Sequence, residues 1–147
     1  MYLTGQPVHF FDADTVAGDI IVREATDGEI FIDLTGVEHS LMKGDIVITD
    51  KEKILALAGI IGGQSSALSD TTKNIVVEIA NFDPIQVRKT ATRLHIRTDA
   101  HSRFEKNINP LYTLGTLGMF LDMRSLYAKD LGKYTINGIQ WHLSPEV

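Results

Sequence analysis

A single glutamate in an otherwise apolar strand is the first place where this chain suggests chemistry. Asn74-Ile-Val-Val-Glu-Ile-Ala alternates with period two. Ile75, Val77 and Ile79 share one face; Val76, Glu78 and Ala80 share the other. A carboxylate in such a strand is paired, exposed at a sheet edge, or aimed into a cavity. The first two are structural; the third makes Glu78 an acceptor for a buried donor. His9, in Gly5-Gln-Pro-Val-His-Phe-Phe, is a lone imidazole among apolar neighbours. It is either a hydrogen-bonded structural group or a group that handles protons. Gly59, Gly62 and Gly63 form a glycine-rich turn. Such a turn lets backbone approach a ligand closely, or simply reverses the chain between two core strands. Arg88, Lys89, Arg93, Arg97, Arg103 and Lys106 form a local basic cluster, which is either a solvated helix face or a contact for RNA phosphate.

Other chemistries are excluded or unsupported. The chain has no cysteine, so disulfides, thiolate catalysis and cysteine-bound zinc fall away together. His39, His95, His101 and His142 show no metal-ligand spacing. GxSxG and HExxH are absent, and the glycine turn lacks the Lys-Ser/Thr pair of a phosphate loop. Hydrolysis by this chain therefore calls for a positioned water and no covalent nucleophile.

The elements that must hold these residues divide into two halves. With 147 residues the chain can form one domain with a real core. The first half reads as short strands: 19–24 and 29–34 around an Asp27-Gly28 hairpin turn, then 45–49 and 54–58. The strand at 54–58 is apolar on both faces and is expected deep in the core. The second half turns helical. Asp83-Pro84 caps and starts one helix, Thr98-Asp99 a short second, and Asn109-Pro110 a longer third. The third carries a Leu111, Leu114, Leu117, Leu121 stripe and a stop at Gly132; a last strand runs from Tyr134 to Leu143. The expected fold class is mixed α+β: layered, sandwich-like sheets with helices in the C-terminal half. No apolar run is long enough to span a bilayer, and no signal peptide opens the chain. The net charge of −5 is unusual for a domain that grips nucleic acid by itself.

From Leu57 to Pro110 the order of motifs is similar, nearly residue for residue, to a known pattern. A glycine turn is followed by Asp70-Thr-Thr-Lys, a strand ending in Glu78, Phe82-Asp-Pro, and Arg93-Leu-His-Ile-Arg-Thr-Asp-Ala-His-Ser-Arg-Phe-Glu. The pattern is that of the editing domain of the bacterial phenylalanyl-tRNA synthetase beta subunit, with R-RLxLRTxASxRFERGxDP at its end. Gly5-Gln-Pro-Val-His-Phe-Phe-Asp resembles that family's GQPxHAFD. The resemblance implies hydrolysis of the ester in mischarged Tyr-tRNA(Phe). A pocket built for phenylalanine rejects an added hydroxyl only by roughly a hundredfold, so a second site that hydrogen-bonds the hydroxyl is needed.

The resemblance also implies roles for single residues. Glu78 matches the glutamate that recognises the tyrosine hydroxyl through a charge-assisted bond. His9 matches a histidine at the ester end that positions the terminal adenosine or the attacking water. Gly59 and Gly62 match pocket-lining glycines, and Thr98 and Ala100 match the opposite wall. Asp99 between them is accounted for by helix capping. No cofactor is implied for editing; ATP and magnesium belong to a catalytic domain that this chain lacks. The implied partners are mischarged tRNA(Phe) and the synthetase alpha subunit, in the cytoplasm. Departures are His95 for a glycine, Lys106-Asn107-Ile108-Asn109 for RGxD, and Phe10 for an alanine. Phe10 is expected to narrow the pocket beside His9. The family domain begins before GQPxH, so residues 1–147 read as one editing-like domain without its N-terminal part. The rival reading is a non-catalytic RNA- or protein-binding module of the same fold.

Overall fold

The computed structural model describes residues 3–127. Eight strands precede three helices. The strands are β1 (His9–Asp12), β2 (Ile21–Glu24), β3 (Ile30–Ile32), β4 (Glu38–Ser40), β5 (Ile46–Thr49), β6 (Ile54–Leu57), β7 (Ile61–Gly62) and β8 (Ile75–Glu78). The helices are α1 (Pro84–Leu94), α2 (Asp99–Phe104) and α3 (Tyr112–Tyr127). All pairing is antiparallel. A central sheet runs β2-β5-β6-β7, and two ribbons stand beside it, β1 with β8 and β3 with β4. The fold is α+β, with its helices in the C-terminal half.

The centre is the β5-β6 hairpin. Asp50 makes its turn: Oδ1 accepts from the Glu52 and Lys53 amides, and Oδ2 accepts from Ala17 N. These bonds outweigh the opposing effect of burial and hold the Asp50 carboxyl below its ordinary range. The two strands are buried on both sides, as their unbroken apolar run predicts. Val47 and Leu57 enter one core cluster with Phe31, Val87, Ala91 and Phe104. Ile48, Leu55 and Ala56 enter a second with Phe11. Phe82 packs against both.

The expected hairpin between 19–24 and 29–34 does not form. β2 pairs with β5 and β3 pairs with β4. Ala25 N still bonds Asp45 O, so the first strand stays beside β5 to its end. Glu29 then accepts from Thr26 N and takes Arg23 in a bidentate pair, which turns the chain aside. Gly28 N and Leu41 N close onto the next ribbon instead. The Asp27-Gly28 signal is a real turn, but the partner strand lies further along the chain.

The helices follow their local signals more closely. Asp83 Oδ1 accepts from Ile85 N and Gln86 N, and Pro84 opens α1. His95 ends it in the left-handed conformation, φ 57°. Asp45 docks the helix on β5. Its Oδ1 accepts from Thr90 Oγ1 at 2.7 Å, and its Oδ2 binds the Arg93 guanidinium. In α3 only the second half of the leucine stripe is covered, Leu117 and Leu121 being half-buried. Leu111 is 81% and Leu114 50% exposed, whereas Thr116 is buried and Phe120 packs on Phe10 at 5.8 Å. The stop at Gly132 and the strand Tyr134–Leu143 lie outside the described residues. Among the described residues no helix is long and apolar enough to cross a membrane.

Candidate functional site

The β1–β8 ribbon sets His9 directly opposite Glu78, and Phe11 opposite Val76. Paired residues of an antiparallel ladder share a face, so the imidazole and the carboxylate lie on one side, the side that packs on the second core cluster. Glu78 is only half-buried as a residue, yet its Oε2 is shut off from water and has no hydrogen-bond partner. Burial pushes its carboxyl up from 4.5 to about 7. Of the three possibilities open to a carboxylate in this strand, pairing and edge exposure are both ruled out for Oε2. What remains is an inward-facing acceptor without a donor, the arrangement that buried polar groups rarely show without reason.

His9 packs edge-on against Phe11 at 4.6 Å. Burial pushes its imidazole below the ordinary 6.5. The ring is therefore neutral at pH 7 and keeps one donor and one acceptor nitrogen. It rests on Gly62: a Cβ at Gly62 would meet His9 Cε1 at 2.5 Å and Nε2 at 2.8 Å. The glycine is required because the ring occupies its side-chain space. Neighbouring Gly63 is equally constrained, with Leu55 O at 2.7 Å from a would-be Cβ. The glycine turn thus serves two ends, seating His9 and letting β7 close on β6.

Gly59 does something different. Its φ is +69°, and a Cβ there would meet Phe82, Phe104 and Val87 at 3.0–3.2 Å. Core packing and backbone conformation explain it fully. Thr98 caps α2 by accepting from His101 N, and its hydroxyl donates to Ile60 O at 2.6 Å. Ala100 packs against the first core cluster. The six expected site residues therefore fall into two groups. His9, Gly62 and Glu78 meet around the ribbon, while Gly59, Thr98 and Ala100 join the glycine turn to α2. Phe10 does not narrow the space at His9. Strand alternation sends it to the opposite face, onto Phe120.

Two side chains that the sequence did not single out anchor the ribbon. Gln6 is fully buried and its Nε2 donates to Ala80 O at 2.7 Å. Asp12 accepts from Thr72 Oγ1 at 2.6 Å, tying the acidic-threonine loop to β1. Both were hidden because their partners lie more than fifty residues away. Among the described residues no cluster of His, Asp and Glu is placed to hold a metal ion.

Comparison with known proteins shows the family. A family described as the B3/4 domain matches residues 1–129. The chain is 52% identical over 136 residues to the phenylalanine–tRNA ligase beta subunit of Latilactobacillus sakei, covering 90% of this chain and 16% of that protein. It is 51% identical over 106 residues to the beta subunit of Carboxydothermus hydrogenoformans, covering 71% and 13%. It is 42% identical over 133 residues to that of Streptococcus pneumoniae, covering 90% and 16%. The chain thus spans less than a fifth of the length of each of these relatives.

Proposed function

Because the chain belongs to the B3/4 domain family, we propose that it is the editing module of a phenylalanyl-tRNA synthetase beta subunit and hydrolyses mischarged Tyr-tRNA(Phe). One observation carries the reading: the orphaned, inward-facing Oε2 of Glu78 on the strand opposite a neutral His9. A phenol hydroxyl is the donor that such an acceptor lacks, and phenylalanine has none. Leaving the carboxylate unpaired against phenylalanine, and paired against tyrosine, is how a second site discriminates. Water attacks the ester carbonyl. The departing ribose hydroxyl takes a proton, and tyrosine and tRNA are released. His9 orients the water or the terminal adenosine, Gly62 leaves space for its ring, and positioning provides most of the acceleration. ATP and magnesium have no part in this step. The partners are mischarged tRNA(Phe) and the alpha subunit, and the setting is the cytoplasm.

The test is single-turnover deacylation of Tyr-tRNA(Phe) and Phe-tRNA(Phe) by wild type, His9→Ala and Glu78→Ala. We expect tyrosine release by wild type. At pH 8, where the Glu78 carboxyl is ionised, Glu78→Ala loses about tenfold or more of the preference for tyrosine, the value of one charge-assisted bond. Equal rates for wild type and His9→Ala would remove His9 from the mechanism. The second reading is binding without turnover. Tyrosine binding with no deacylation would establish it.

A further inference from the structure

The basic cluster divides once the fold is known. Arg93 is committed to Asp45 and to Ser40 O. Arg88 and Arg97 are exposed and have no anionic partner among the described residues. They line a groove of about 410 Å³ between α1 and α2, together with Thr92, His95, His101 and Glu105. The groove shares no residue with the Glu78 and His9 site. Its wall holds an unexplained group. His101 is 8% exposed, and both of its ring nitrogens are buried without a hydrogen-bond partner. Glu105 Oε2 stands 3.5 Å from Nε2, too far for a good bond. An imidazole always carries at least one N–H, and burying it unpaired costs about 1–3 kcal/mol. The Glu105 carboxylate offsets this only in part.

We propose that this groove binds the sugar-phosphate backbone of a single RNA strand. Two guanidinium groups against one carboxylate make it cationic in a chain of net charge −5. Arg forks match phosphate oxygens bidentately. Those oxygens are acceptors of the kind the His101 N–H lacks, and the Thr92 hydroxyl adds a further donor. The groove is several times larger than a lone phosphate and lies open along the helix pair, which suits a passing strand better than a captured ion. The inference rests on the editing reading for the identity of the RNA, a tRNA end, but not for the binding itself. It gives the acidic domain its own hold on substrate.

The test uses the full chain and a short fluorescein-labelled oligouridylate, followed by anisotropy at several salt concentrations. Wild type should bind saturably with a log-log salt slope of about −1.4, the value for two phosphates on a single strand. Arg88→Gln/Arg97→Gln should weaken binding by about tenfold at low salt and flatten the slope. Lys89→Gln/Lys106→Gln removes equal charge outside the groove and should change affinity less than twofold. NMR should show the His101 ring signal moving on RNA addition. Equal losses in both double variants, an unmoved His101 signal, or inorganic phosphate binding without RNA binding would each overturn the proposal. Lost RNA binding with deacylation intact sinks the groove alone; intact binding with no deacylation sinks the hydrolase reading alone.

Discussion

Ionising Glu78 in its native position costs free energy that ionising it in the unfolded chain does not. Its carboxyl moves from 4.5 to about 7 on folding. The native state therefore holds a proton that the unfolded state has lost, and stability falls as pH rises from about 4.5 to about 7. The full effect above pH 7 is about 3 kcal/mol. Glu78→Gln should be more stable than wild type by up to that amount at pH 8 and equal to it at pH 4, measured by urea denaturation. An equal effect at both pH values would show that the carboxylate is not desolvated. The same residue shows how far sequence reaches at this scale. Period two placed Glu78 with Val76 on one face. It could not show that Oε2 is shut off from water, because β8 acquires its neighbour β1 from the far end of the chain. His9 was visible as an isolated imidazole, but its seat on Gly62 depends on a contact across more than fifty residues.

Among the elements, α1 depends on one buried carboxylate. Asp45 receives Thr90 Oγ1, Met42 N and Arg93, so it joins the helix to β5 and to the turn before it. Asp45→Asn should cost about 2 kcal/mol and speed hydrogen exchange in Val87–Leu94, read by mass spectrometry. Exchange unchanged in that segment would mean that the helix is docked by its apolar face alone. The start of α1 was legible because Asp83 and Pro84 act on their own neighbours. Its end was not, since a histidine fills the left-handed position that glycine usually takes. Strand β1 was missed as an element altogether. His9–Asp12 shows no clean alternation, and only pairing with β8 makes it a strand.

At the scale of the molecule, the two core clusters share Phe82. Its ring also meets Phe104 at 5.2 Å and closes over Gly59. Phe82→Ala should cost about 3 kcal/mol and leave a single urea transition by circular dichroism, because both clusters also share the β5-β6 hairpin. Two resolved transitions would show that the clusters fold separately. The fold class was readable from the change of period between the halves, and the family from the ordered motifs. The three-sheet topology was not, since β-pairing partners are chosen by long-range packing. The position of the basic groove was equally hidden: composition counts charges but does not show which are already committed.

Thr98 has one further consequence. Its proton goes to Ile60 O, and one lone pair takes the His101 amide. A hydroxyl so committed has a single lone pair left. Whatever meets Thr98 from outside must bring its own hydrogen. A carbonyl oxygen would find nothing there to bind, whereas the α-ammonium of an amino acid would find an acceptor already locked in direction.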